Sequence, residues 1–106
     1  MFDFQIDHKI PGCLGRAGTI KTPHGEIKTP AFMAVGTQGY VRFLEPADLV
    51  AIGAQAMLSN GYHLRRTSYQ IADDGGLSKW SGWSRPTLTD SGGFQVMSLG
   101  SGLGKV

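Results

Sequence analysis

A single cysteine, Cys13, is all the thiol this 106-residue sequence holds. No internal disulfide can brace the fold, and a lone thiol fits a reducing cytoplasm better than an oxidising compartment. His8 and His24 stand nearest to it in sequence, but three such residues without clustered spacing do not make a metal site. Charge of one sign is also scarce: ten basic and eight acidic residues leave a net charge of +2, which excludes a strong whole-surface attraction to nucleic acid. Arg65-Arg66 is the only adjacent basic pair, and together with Arg42, Lys79 and Arg85 it reads as solvated surface rather than as a phosphate clamp. No stretch approaches the roughly 20 apolar residues that cross a bilayer. Met1-Phe2-Asp3-Phe4 leads into polar and charged residues instead of the apolar run of a signal peptide. The expectation is a cytoplasmic protein with no membrane partner.

What is present is enough for a core. Hydrophobic residues make up 41% of the chain, with five Phe, three Tyr and two Trp, which argues against disorder. Glycine is abundant, 16 of 106 residues, roughly twice ordinary usage, and points to many tight loops of the α/β kind rather than to a helical bundle. The length is that of one domain with one modest core.

Phe2 to Lys9 alternates apolar and polar residues and reads as a half-buried strand. Arg16 to Thr22 and Glu26 to Thr29 flank Pro23-His24-Gly25, the pattern of a hairpin. Ala31 to Val35, closed by Gly36, is a continuous apolar run consistent with a buried parallel strand. Glu45 to Gly53 carries helix signals: Pro46 in the first turn, acids at the amino end, and Gly53 just past the last apolar residue. A second strand is expected at Gln55 to Leu58, then a polar loop through Asn60, Gly61 and His63. A helix over Thr67 to Asp73 should end at Gly75-Gly76, Leu77 to Trp83 should form a short amphipathic turn, and a third strand should start at Thr87. This alternation of strand and helix is the rhythm of a parallel sheet. The glycines of the tail, Gly100, Gly102 and Gly104 before Lys105, match neither a P-loop nor a dinucleotide fingerprint and read as a flexible end.

The most informative stretch is Arg85 to Met97, where Asp90, Ser91, Gly92, Gly93, Phe94 and Gln95 follow one another directly. Asp90 ends the β-prone run Thr87-Leu88-Thr89 and should stand at a strand's carboxyl end, where α/β folds place their chemistry. Gly92 and Gly93 permit positive φ and close approach of a flat ligand. Phe94 is placed to cover a ring face, and Asp90 and Gln95 to bond its edge, as recognition of an unpaired nucleobase requires. The same Asp-Ser-Gly-Gly run is also an ordinary strand-ending turn.

The surroundings carry more. Thr29-Pro30-Ala31-Phe32-Met33-Ala34-Val35-Gly36-Thr37, then Gly53-Ala54-Gln55, Ser59-Asn60-Gly61-Tyr62-His63-Leu64, Gly75-Gly76-Leu77 and finally Leu88 to Leu99 come in one order. From about Gly15 to Leu99 the chain resembles the amino-terminal part of tRNA-guanine transglycosylases, which exchange guanine for a 7-deazaguanine at the anticodon wobble position. Thr-Asp-Ser-Gly-Gly-Phe-Gln is specific to that family, whereas Thr-Pro-Ala-Phe-Met is weak by itself. The resemblance implies a (β/α)8 TIM-type barrel with amino-terminal antiparallel strands. Such a barrel needs about 250 residues, so residues 1–106 would be an incomplete portion. It implies that Asp90 holds the base and moves protons, that Ser91, Gly92, Gly93 and Phe94 line the base pocket, and that Gln95 supports them. The implied partners are a tRNA anticodon loop, guanine or a 7-deazaguanine, and a second copy of the chain, since bacterial members are homodimers.

The same resemblance says what is missing. The nucleophilic Asp that attacks the ribose, the second recognition Asp and a later Gly-Gly-Leu element have no counterpart here. The family's zinc site, Cys-x-Cys-x-x-Cys with a later His, lies in the part that is absent, so no cofactor is expected in this chain. Gly61 stands where relatives usually carry Thr, and Arg65-Arg66-Thr67-Ser68 replaces an Arg-Pro-Gly step in a segment about two residues shorter, which puts that loop's tRNA contacts in question. His63 fits a buried structural role better than a catalytic one. The rivals are a non-catalytic subunit or small purine-binding module of the same family, or an archaeal-type tRNA transglycosylase. Either way, the isolated polypeptide is expected to be inactive.

Overall fold

The computed structural model describes residues 1–100. The glycine-rich end from Ser101, with the tail considered above as a phosphate loop, lies outside the described residues. The chain begins with an antiparallel sheet of three strands, β1 (Asp3–Lys9), β2 (Arg16–Thr22) and β3 (Gly25–Thr29), in that order. The β2–β3 hairpin closes with Thr22 opposite Gly25, whose φ of 122° suits a residue without Cβ. Between Ile6 and His8 the β1–β2 register slips, so Asp7 has no partner residue in the ladder. Its carboxylate accepts a 2.6 Å hydrogen bond from Thr19 Oγ1, and Lys28 Nζ donates to the same hydroxyl at 3.1 Å. The strand at the amino terminus is therefore real, but the expected half-burial is not: every residue of β1 is exposed. It is an edge strand paired on one side only, and no helix packs on its apolar positions among the described residues.

The second sheet is parallel and holds the core. Its strands are β4 (Met33–Val35), β5 (Ala56–Asn60) and β6 (Thr87–Asp90), in sequence order. The connection from β4 to β5 carries α1 (Pro46–Ala51), with Pro46 in its first turn and the Asp48 carboxylate accepting from the Glu45 N–H at 2.8 Å. Gly53, at φ 83°, turns the chain back toward β5. Side chains alternate across the strands, and the row facing α1 is the buried one. Ala34, Leu49, Met57 and Trp83 form this core, with Val41 and Ala54 packed against it. Trp83 is 1% exposed, and its indole N–H is satisfied by the Pro86 carbonyl at 3.1 Å.

The opposite row, with Val35, Leu58 and Leu88 in register, is only partly covered, and Leu88 is 53% exposed. The run from Ala31 to Val35 is thus a parallel strand as read, yet only Ala34 within it is buried, because helices cover one face of the sheet. After β5 come α2 (Gly61–Leu64), a 3₁₀ turn at Arg65–Thr67, α3 (Ser68–Asp73) and α4 (Leu77–Ser81), and α5 (Gly93–Gly100) follows β6. The expected polar loop at Asn60 to His63 is a helical turn instead, for a reason given below. The chain is mixed α/β, as the sequence indicates; among the described residues neither sheet closes into a barrel.

Trp83→Ala is expected to cost about 3–5 kcal/mol of folding stability, whereas Phe94→Ala, at an exposed helical position, should stay within roughly 0.5 kcal/mol. Urea denaturation followed by far-ultraviolet circular dichroism measures both.

Candidate functional site

Two neighbouring strands of the parallel sheet end on polar residues that face each other: Asn60 closes β5, Asp90 closes β6, and the two are register partners. Both strands turn directly into helices. At the first turn, the Asn60 side-chain oxygen accepts from the backbone N–H groups of Tyr62 (3.0 Å) and His63 (3.3 Å). These are otherwise orphan donors of α2, and this cap converts the predicted loop into a helical turn. At the second turn, Ser91 Oγ accepts from the Gly93 N–H at 3.3 Å, and α5 starts with Val96 N bonding to the Gly92 carbonyl at 3.0 Å.

The two turns are locked together. Asn60 Nδ2 donates to Asp90 Oδ2 at 3.1 Å and to Gln95 Oε1 at 3.4 Å. Asn60 itself is only 7% exposed, although Asp90 is open to solvent. Gly92 has φ 72°, and a Cβ there would come within 2.5 Å of Tyr62 Cβ and 3.0 Å of Asn60 Oδ1. A Cβ on Gly61 would stand 3.2 Å from the Asp90 carbonyl oxygen. Close approach at Gly92 therefore serves the α2 turn. A Cβ on Gly93 would meet only Ser91 Oγ, at 3.6 Å, so Gly93 is the glycine with open space beside it.

The predicted residues Asp90, Ser91, Gly92, Gly93, Phe94 and Gln95 run continuously from the carboxyl rim of the sheet into the first turn of α5. Phe94 is 77% exposed, so its ring is available at the surface rather than spent on the core. Among the described residues Asp90 Oδ1 has no hydrogen-bond partner, so one carboxylate oxygen is left as an open acceptor. A cavity of about 310 Å³ opens at the same rim, on the β4 side of Asn60, lined by Val35, Thr37, Gln38, Tyr40, Arg42 and His63. The Thr37 carbonyl accepts from the Asn60 N–H at 3.1 Å, which ties the cavity wall to the hub. Neither Asp90 nor Phe94 lines it.

His63 is half-buried at the wall of that cavity and packs edge-on against Tyr62, with ring centroids 5.5 Å apart, instead of lying buried as the sequence suggested. The Arg65 guanidinium sits 4.4 Å from the centre of the Tyr62 ring on its face, so one cation of the adjacent basic pair is held by an aromatic. Among the described residues no three His, Cys, Asp or Glu side chains converge as a metal site would require. No helix among them is long and apolar enough to cross a membrane. The residue that sequence reasoning passed over is Asn60. Its signal was there: a capping-type residue directly after an apolar strand, on the strand next to that of Asp90.

Gly92→Ala forces an L residue into the left-handed region and presses its Cβ into Tyr62. A loss of about 2–4 kcal/mol is expected, against well under ~1 kcal/mol for Gly93→Ala, where no atom is displaced. Chemical denaturation of the two variants decides it; equal midpoints would remove the clamping role of Gly92.

Comparison with known proteins gives the family. The family model described as queuine tRNA-ribosyltransferase matches residues 12–105. Among curated relatives of that name, the protein of Herpetosiphon aurantiacus is 55% identical over 101 residues, covering 93% of this chain and 25% of the relative. That of Thermus thermophilus is 50% identical over 101 residues, covering 93% and 26%, and that of Synechococcus sp. 48% over 103 residues, covering 95% and 28%. The chain thus spans about a quarter of the length of the curated relatives it matches. With nearly all of its residues inside the family match, this chain belongs to the queuine tRNA-ribosyltransferase family.

Proposed function

We propose that this chain is the amino-terminal portion of a tRNA-guanine transglycosylase, which exchanges the guanine of a tRNA anticodon wobble nucleotide for a 7-deazaguanine. The observation that carries this reading is the carboxylate of Asp90 at the sheet's carboxyl rim, bonded on one oxygen to Asn60 and followed at once by Ser91-Gly92-Gly93-Phe94-Gln95 on the start of α5. Asp90 holds the edge of the base and handles its protons. Phe94 stacks on one face, an interaction worth about 1–3 kcal/mol per base. Ser91, Gly92 and Gly93 form the floor, with the open side of Gly93 toward the ring, and Gln95 supplies a further hydrogen bond.

One carboxylate does not complete the chemistry. Breaking the C1′–N9 bond needs a nucleophile at the sugar as well as a group that manages the base, and this reading takes the nucleophile from residues outside the chain. The open row of the parallel sheet supports the same division. Val35 and Leu88 are exposed apolar residues on a parallel sheet, and parallel sheets are ordinarily covered on both faces. Further βα units would cover that row and close a (β/α)8 barrel. The zinc that the family implies finds no site here: the one cysteine, Cys13, is exposed, and no cluster of ligands surrounds it among the described residues. No step of the reaction is assigned to a metal. Cytoplasmic location, tRNA as the macromolecular substrate and pairing with a second copy complete the proposal.

Base exchange with radiolabelled guanine and unmodified tRNA tests it. The protein expressed from its complete reading frame should incorporate label into tRNA, and Asp90→Asn should lower the rate at least ~100-fold. The 106 residues alone should give no incorporation. Label in tRNA from the short polypeptide, or an unaffected Asp90→Asn enzyme, would overturn the assignment.

A further inference from the structure

We infer that Asn60 is the positioning residue of this site: its one side-chain amide both caps α2 and sets the directions in which Asp90 and Gln95 present themselves to the ligand. The inference deepens the base-exchange reading and rests on it for the ligand's identity.

The orientation of the Asn60 amide is determined from both sides. Its oxygen faces two backbone N–H groups, those of Tyr62 and His63, and its nitrogen faces two oxygens, Asp90 Oδ2 and Gln95 Oε1. Flipping the amide would set its NH2 against two donors and its oxygen against two acceptors, so the alternative loses on both flanks. At 7% exposure little water is at hand to compensate. Both protons of the NH2 are committed. Asp90 Oδ2 is turned inward, and Asp90 Oδ1, with no partner among the described residues, is the oxygen left to face a ligand. Gln95 Oε1 is likewise turned inward, leaving its Nε2 as the outward donor. Asn60 therefore presents the ligand with an acceptor beside a donor, fitted to a ring edge that offers an N–H next to a carbonyl or ring nitrogen. The holding group is neutral, so the carboxylate is aimed without being fixed in an ion pair.

The capping role and the positioning role separate in one substitution. Asn60→Asp retains an oxygen for the Tyr62 and His63 N–H groups, since Asp caps helices as well as Asn does, but it removes both donated protons and sets a carboxylate against Asp90. A residue that only caps would tolerate it. For a positioning residue, the exchange rate at saturating tRNA should fall about 10–100-fold. The acidic limb of the rate profile should also move to higher pH, because two adjoining carboxylates come to share a proton. Asn60→Asp with an unchanged rate and an unchanged profile would overturn the inference.

A second measurement needs no variant. In the unsubstituted protein, the side-chain NH2 resonances of Asn60 should titrate in step with the carboxyl carbon of Asp90 by nuclear magnetic resonance. Resonances that ignore that titration would overturn the inference even if the variant fails to fold. Should the unsubstituted protein exchange no base, the functional reading falls, while the titration still decides the role of Asn60.

Discussion

A parallel sheet gives a site its rim, but each strand end there is followed by a turn whose polar groups need partners. In this chain one buried side chain serves two such turns. The amide of Asn60 satisfies the first N–H groups of α2 with its oxygen and reaches across the β5–β6 pair to Asp90 and Gln95 with its nitrogen. Removing either half would leave partly buried polar groups of one turn without this partner, at a cost that adds to the lost bond. The absence of side chains at Gly61 and Gly92 allows the two turns to approach closely enough for this to happen. Geometry at the rim therefore depends on a polar bridge and two missing Cβ atoms acting together.

Behind the rim, the core is small and lies on one side. Trp83, Met57, Leu49 and Ala34 fill the space between the sheet and α1, and the indole finds a carbonyl within the same segment of chain. On the other side Leu88 and Val35 lie open. The chain spans about a quarter of its relatives' length, and one face of its parallel sheet, a kind of sheet ordinarily covered on both sides, lies bare. The antiparallel strands are tied to this arrangement at Lys28, whose N–H donates to Gln55 Oε1 at 2.8 Å and whose carbonyl accepts from Gln55 Nε2 at 3.1 Å, and are braced within by the Asp7–Thr19–Lys28 hydrogen bonds, while β1 stays exposed.

Much of this was legible in the residues. Pro46, the acids around it and Gly53 marked α1, because proline and glycine act through local backbone geometry that needs no tertiary partner. The hairpin at Pro23-His24-Gly25 was legible for the same reason. Several expectations went astray, chiefly where the outcome depends on what lies opposite. The alternation of Phe2 to Lys9 is a true strand signal, but whether a strand is buried depends on a covering layer that alternation cannot supply. The polar stretch after Ser59 has loop composition, yet Asn60 supplies the cap that makes it helical. At the site, Asp90 and the residues to Gln95 were found from their contiguity, whereas Asn60 lies 30 positions earlier and joins them only through strand pairing.

The sequence by itself determined the strands and the helices between them apart from α2, the family through the Asp90–Gln95 string, and the placement of that string at a strand's end. These are properties of neighbouring residues, carried by backbone preference and side-chain chemistry. Only the tertiary structure decided which glycine is clamped, which face of the sheet is left open and which amide bonds to the carboxylate. Each of those depends on atoms brought together across the β5–β6 pair or across the helix layer, and no local preference encodes such a distance.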